Sequence, residues 1–219
     1  MRILHGTKVI EAPPGWRDAI DRDGRAVVID IGAGDGRWVY GSARADPSRY
    51  FVAVDPDADA LSESAYRASR KPARGGVDNA AFVIAAVERL PPELAGMAAL
   101  IRINFPWGSL LRSLLQPDLA VLRSIAAIAA AGGGFEIVFS YHPEHDTNAF
   151  IGDPLPALTS QYVEGILVPA YRAAGLQVTE HRRLSQDEAL AIPSSWGRRL
   201  LHARPRDVYY LAGSVSRET

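Results

Sequence analysis

The residues best placed to do chemistry are acids and glycines at the ends of two apolar runs. Val27, Val28, Ile29 and Ile31 form a β-branched run that reads as a buried strand, with Asp30 inside it. The run stops in Gly32-Ala33-Gly34-Asp35-Gly36. Glycines at that spacing let a backbone turn tightly and come close to a ligand, because no Cβ intervenes. About twenty residues further on, Tyr50-Phe51-Val52-Ala53-Val54 reads as a second strand ending in Asp55. An acid at the tip of the second strand, beside a glycine loop at the tip of the first, suits the vicinal hydroxyls of a ribose. The pair predicts a nucleoside site at the carboxyl edge of a parallel sheet.

A dinucleotide loop would read G-x-G-x-x-G, its last glycine allowing close helix packing. Here D-x-G-x-G-x-G runs from Asp30 to Gly36, and Arg37 stands where that last glycine would be. Asp30 would repel a pyrophosphate and welcome an amino-acid ammonium. The pattern resembles the first motif of S-adenosylmethionine-dependent methyltransferases, with Asp30, Gly32, Gly34 and Asp55 on the cofactor. In that fold the tip of the fourth strand faces the transferable methyl group. Asn104-Phe105-Pro106-Trp107-Gly108-Ser109 follows the fourth apolar run, and Trp107 offers a flat face on which stacking a base contributes about 1–3 kcal/mol. A second indole, Trp196, lies in Ser194-Ser195-Trp196-Gly197-Arg198-Arg199. If both close on one cleft, they could hold a base drawn out of its stack. Two basic clusters, Arg67, Arg70, Lys71 and Arg74, then Arg198, Arg199, Arg204 and Arg206 with His202, suit phosphates on a curved backbone. As flanks of one cleft they point to RNA. His142-Pro143-Glu144-His145 lacks a third ligand and reads as a polar loop, so no metal is expected. No Ser/His/Asp arrangement is present.

The chain that must position these groups has 219 residues, 47% hydrophobic and 22% charged, a balance that suits one α/β domain. It contains no cysteine, which excludes disulfides and thiolate chemistry. The amino-terminal stretch lacks the apolar core of a signal peptide, and no run is long enough to cross a membrane, so a soluble cytoplasmic protein is expected. The formal net charge of -1 does not itself indicate nucleic acid; the local clusters do. Residues 1–25 read as an amino-terminal extension, with Arg2-Ile3-Leu4 and Lys8-Val9-Ile10 as a hairpin covering one end. Helices are expected from Trp38 to about Ala45, from Ala58 to Lys71, and from Gln116 to Ala131, the last stopped by Gly132-Gly133-Gly134. Ala81–Ile84, Met97–Ile103 and Phe135–Phe139 read as the third to fifth strands, Leu176–His181 and Asp207–Ala212 as the sixth and seventh. An insertion (140–175) separates strands five and six, and a basic linker (182–206) separates six and seven. The whole, 1–219, reads as a single Rossmann-like α/β domain with a seven-stranded, mostly parallel sheet.

More specific matches run almost end to end. They include Gly6-Thr7-Lys8, Asp30 to Gly36, Asp55, Lys71-Pro72 with Arg74-Gly75-Gly76, and Val87-Glu88-Arg89-Leu90-Pro91. Pro106-Trp107-Gly108-Ser109-Leu110-Leu111 and Ser195-Trp196 with Arg198-Arg199-Leu200 complete the set. With these segments the chain resembles the aminoglycoside-resistance 16S rRNA (adenine(1408)-N1)-methyltransferases of the Kam/Npm type. The resemblance implies a class I methyltransferase that uses S-adenosyl-L-methionine and acts, as a monomer, on the decoding-site helix of the 30S subunit. It implies that Trp107 and Trp196 stack on the flipped adenine. It further implies cofactor contacts at Gly32, Trp38, Asp55, Val87, Glu88, Asn104, Ser109 and Ser195. Arg67, Arg70, Lys71, Arg74, Arg199, Arg204 and Arg206 would dock on rRNA phosphates. Trp38 and Asn104 depart from the family pattern, which favours a smaller polar and an apolar residue there. A tRNA or small-molecule acceptor, or an RNA-binding homologue of little activity, are the competing readings.

Overall fold

The computed structural model describes residues 1–142, 146, 154–203 and 206–216. The chain opens with a hairpin, β1 (Arg2–His5) and β2 (Lys8–Glu11), and a short helix, α1 (Trp16–Asp23). Strands and helices then alternate as β3 (Ala26–Ile31), α2 (Arg37–Ala45), β4 (Arg49–Asp55), α3 (Ala58–Ala68), β5 (Ala80–Ile84) and β6 (Ala98–Asn104). Next come α4 (Gly108–Leu115), α5 (Leu119–Ala127) and β7 (Ala129–Ser140). The last part holds α6 (Ser160–Tyr162), which runs through a π turn at Val163–Leu167 into α7 (Val168–Ala173). It ends with β8 (Leu176–Leu184), α8 (Gln186–Ala191), α9 (Ser195–Ala203) and β9 (Val208–Val215).

Among the described residues the strands form one nine-stranded sheet in the order β2-β1-β5-β4-β3-β6-β7-β9-β8. The run from β5 to β7 is parallel, β9 returns antiparallel to β7, and β8 is antiparallel to β9. Chain order reverses between β3 and β6, and the crevice at such a switch point, beyond the carboxyl ends of the strands, is where a doubly wound sheet takes a ligand. Both faces of the central strands are buried. Val28 and Phe51 pack with Val39 and Leu61 of α2 and α3, while Ile29, Ile101 and Ile137 pack with Leu111, Leu122 and Leu167 on the other side.

Three expectations change. The sheet has nine strands rather than seven because the amino-terminal hairpin extends it instead of lying across an end. Ile3 of β1 pairs with Val83 of β5, and Ile3 and Leu4 are 8% and 7% exposed, one on each face. The hairpin thus covers an edge that would otherwise present unpaired backbone groups. The stretch 116–131 is not one helix: α5 stops at Ala127, and β7 runs straight through Gly132-Gly133-Gly134. The β6–β7 register shifts between Ala98 and Leu100, and a Cβ on Gly133 would stand 2.6 Å from the Ala98 carbonyl oxygen. These glycines allow a bulge in a strand and do not stop a helix; ladder pairing overrides the helical preference of the alanines before them. Finally, most of 182–206 is regular structure. β8 continues to Leu184, and α8 begins on a capping box between Ser185 and Glu188.

Candidate functional site: a two-ended cofactor cleft under paired indoles

The glycine loop is pinned to the tip of β4. The Gly32 N–H donates to the Val54 carbonyl at 2.8 Å, and the Gly34 N–H donates to Asp55 Oδ2 at 2.8 Å. Gly32 has φ 71°, a left-handed conformation open to glycine without strain, and a Cβ there would meet Leu110 Cδ2 at 2.7 Å. The other oxygen of Asp55 accepts from the Asp57 N–H at 2.9 Å. Each carboxylate oxygen keeps a lone pair for a ribose hydroxyl. Burial pushes the Asp55 pKa up, against the opposing pull of those two N–H groups.

Asp30 is 4% exposed, and its Oδ1 has no hydrogen-bond partner. Burial pushes its pKa up to about 7; Arg102 opposes the shift and Asp55 adds to it. Arg102 lies directly across the β3–β6 ladder from Asp30. Its guanidinium stands 4.2 Å from the centre of the Trp38 ring, and its buried Nε lies 3.7 Å from Glu136 Oε2, an ion pair without a hydrogen bond. Asn104 Oδ1, at the tip of β6, is likewise unpartnered. A buried carboxylate oxygen without a donor is costly unless something donates to it. An ammonium at Asp30 would meet that demand.

A cavity of about 1040 Å³ opens over these tips. Asp30, Gly32, Gly34, Trp38, Asp55, Val87, Glu88, Asn104, Ser109 and Ser195 all line it, as do Trp107, Trp196, Arg198 and Arg199. Trp196 is carried in by α9, whose Ser195 Oγ donates to Asp35 Oδ2 at 2.8 Å and fastens the linker to the glycine loop. The two indoles meet edge to face, centroids 5.5 Å apart and planes at 72°. A base between parallel rings needs planes about 7 Å apart, twice a carbon–carbon contact distance. The rings must therefore separate before they can hold one.

The basic residues divide. Arg199 is exposed at the cavity, with Arg198 beside it. Arg67, Arg70, Lys71 and Arg74 do not line the cavity; they lie at the far end of α3 and in the turn Pro72–Arg74. The clusters do not flank one cleft. Arg67 is already paired with Glu63. Arg206 is a clearer correction: its side chain is 8% exposed and ion-paired with that of Asp146, at 2%. Asp146 also accepts from the His142 N–H at 2.8 Å. A carboxylate this buried requires a cation, so Arg206 turns inward and is not offered to phosphate. Arg204 lies outside the described residues, as do Pro143, Glu144 and His145. Sequence reasoning missed Asp35, Arg102, Phe105 and Gly197. A charge inside the apolar run Ala-Ala-Leu-Ile-Arg-Ile could have signalled Arg102, and an acid within the glycine loop Asp35. Nothing in the spacing signals the other two.

The polar ends of the cavity differ in kind: Asp55 at one suits a diol and Asp30 at the other an ammonium, the two ends of S-adenosylmethionine. Fold and cavity together define a Rossmann-like, class I methyltransferase. Within that class, the NpmA family model, described as 16S rRNA (adenine(1408)-N(1))-methyltransferase, matches residues 2–215, and the chain belongs to this family. A 16S rRNA (adenine(1408)-N(1))-methyltransferase of Streptoalloteichus tenebrarius is 35% identical over 99% of this chain and 100% of its own. An alanine-for-tryptophan variant of the enzyme of that name from Catenulisporales acidiphilia has been solved with its cosubstrate SAM. It superposes with a TM-score of 0.90 at 32% identity, covering 99% of this chain and 97% of that one. The aminoglycoside resistance methyltransferase NpmB1 superposes with a TM-score of 0.83 at 36% identity, over 98% and 99% of the two chains.

Proposed function

We propose that this chain transfers a methyl group from S-adenosylmethionine to N1 of adenine 1408 in 16S rRNA of the 30S subunit, giving aminoglycoside resistance. The observation that carries this reading is the convergence of Trp107 and Trp196, 5.5 Å apart, over a cavity with an acid for each end of the donor. When bound, the cofactor supplies an electrophilic methyl on a sulfonium. Adenine N1 carries a lone pair and no proton, so no side chain need act as a base. The work of the protein is positional. Asp55 accepts from the ribose hydroxyls, and Asp30 accepts from the ammonium. Trp107 and Trp196 would part to admit the adenine and hold it with N1 facing the donor, so that orientation rather than acid–base chemistry carries the transfer. The methylated base is cationic, and the indole faces favour that charge by about 0.5–2 kcal/mol. Arg198 and Arg199 take phosphates beside the extruded nucleotide, while Arg70, Lys71 and Arg74 make a second, remote contact with the rRNA. The chain acts as one domain, as a monomer, in the cytoplasm.

Labelled methyl transfer to 30S subunits, free rRNA and tRNA tests the acceptor, and reverse-transcription arrest locates the base. Label in 30S subunits with a stop at adenine 1408 is the expected result. Label only in tRNA, or in rRNA without a stop, would overturn it, since methylation at N1 blocks pairing and at N7 does not.

A further inference from the structure

The two indoles are joined by a contact that neither makes itself. Trp107 lies two residues after Phe105, and Trp196 one residue before Gly197. Gly197 is buried, and a Cβ built on it would fall 2.4 Å from Phe105 Cδ2 and 2.5 Å from Cε2. Only glycine lets the backbone of α9 lie against that ring. Phe105 is itself unusual. It is 3% exposed and, among the described residues, the one non-glycine with positive φ, at 49°. It also precedes Pro106, a place that prefers extended backbone. A bulky residue held in the left-handed region is retained only where its surroundings over-determine it, and such residues gather at functional sites. Here the surroundings are visible: the Phe105 N–H donates to the Val138 carbonyl at 2.7 Å, and its ring packs with Leu200, Leu201 and Val208. The backbone of Phe105 is thus tied to β7, and its ring packs on Val208 of β9 from one side and on Gly197, Leu200 and Leu201 of α9 from the other.

We propose that Phe105 and Gly197 are a positioning pair for methyl transfer: the ring is the seat on which α9 lies, and it sets where Trp196 stands relative to Trp107. The proposal rests on the reading above that these indoles hold the acceptor base. Neither Phe105 nor Gly197 acts on the base; both act through Trp196.

Gly197→Ala, Phe105→Leu and the double variant test this in the full-length protein. Three quantities are read: cofactor Kd by calorimetry, kcat on 30S subunits, and the exciton couplet that two indoles in contact give in circular dichroism. Gly197→Ala should lower kcat at least 30-fold, leave Kd within twofold and abolish the couplet. Adding Phe105→Leu, which removes Cε2 and replaces the rigid ring edge at Cδ2 with methyl groups that can rotate away from the new Cβ, should restore kcat at least tenfold and part of the couplet. Phe105→Leu alone introduces no clash; it should lower kcat with Kd unchanged, and it decides the matter should Gly197→Ala not fold. Unchanged kcat and couplet in the single variants would overturn the proposal. So would equal losses of Kd and kcat, or a double variant no better than Gly197→Ala. A wild-type protein that leaves 30S subunits unlabelled refutes the acceptor reading instead, and the couplet still reports on the seat.

Discussion

Asp30 is the buried acid of the cavity, and in the proposed reaction its ionisation governs how the site meets a cationic donor. Burial holds its folded-state pKa at about 7, against 3.8 for an ordinary aspartate. Between those values the folded chain keeps a proton that the unfolded chain has lost. Its contribution to stability therefore falls as pH rises from about 4 to about 7 and is constant above. Affinity for an ammonium runs the other way, because only the carboxylate attracts it. Binding of S-adenosylmethionine should be about fourfold weaker at pH 6 than at pH 8: the ionised fraction of Asp30 rises about tenfold over that range, while an α-amino group of pKa about 7.7–8.0 loses somewhat more than half of its ammonium form. Asp30→Asn should bind weakly and lose that rise with pH; calorimetry at the two pH values reads both, and a flat wild-type profile would remove the ammonium from this residue. In the proposed reaction the indoles act on the other substrate. Stacking worth about 1–3 kcal/mol per ring corresponds to roughly 5- to 150-fold in rate. Trp107→Ala and Trp196→Ala should each lose turnover on that scale and keep cofactor Kd within about threefold. Equal loss of both quantities would contradict the sandwich.

At the scale of elements, the segment between β8 and β9 closes one wall of the cavity. It supplies Trp196, Ser195 and Arg199 to the cavity, and Arg206 anchors its far end on Asp146. Removing one partner of a buried ion pair strands the other, which costs about 3 kcal/mol or more. Arg206→Ala should lower the thermal midpoint accordingly, yet leave the salt dependence of RNA binding as it was. A changed salt slope at constant stability would return Arg206 to the phosphate-binding surface. The sequence says little about this segment for a physical reason. Charge and spacing identify arginines, whereas only tertiary packing decides that Arg206 turns inward and Arg199 outward. The glycine loop and Asp55 were legible because local backbone chemistry dictates them: a glycine at Gly32 and an acid at a strand tip carry their meaning in four or five residues. Phe105 and Gly197 were not. Their contact joins residues far apart in the chain, and the left-handed backbone of Phe105 opposes its own local preference. The bulge in β7 was missed for the mirror-image reason, that alanine and glycine propensities pointed to a helix end where a long-range ladder forms a strand.

Across the whole molecule the exposed basic residues proposed to meet RNA fall into two regions rather than one. Arg198 and Arg199 stand at the cavity mouth. Arg70, Lys71 and Arg74 follow the carboxyl end of α3, whose 11 residues separate them from the site edge of the sheet by about 16 Å at 1.5 Å per residue. Remote phosphate contacts orient a nucleic acid without reading it, and each one lost reduces the salt slope of binding by roughly one. A flexible RNA could meet either region, but only a preformed RNA surface can meet both while presenting one adenine to the indoles. The expected preference is therefore for the assembled 30S subunit over free 16S rRNA, and that preference should depend on the remote region. In the Arg70→Ala, Lys71→Ala, Arg74→Ala triple variant the slope for subunit binding should fall by two to three. The rate at saturating subunits should hold, and discrimination between subunit and free rRNA should shrink. Arg199→Ala, at the mouth, should instead lower both affinity and saturating rate. Methylation rates measured on both substrates across a salt series separate these outcomes. A triple variant that still prefers subunits as strongly as the parent would show that α3 and the turn after it face away from the ribosome.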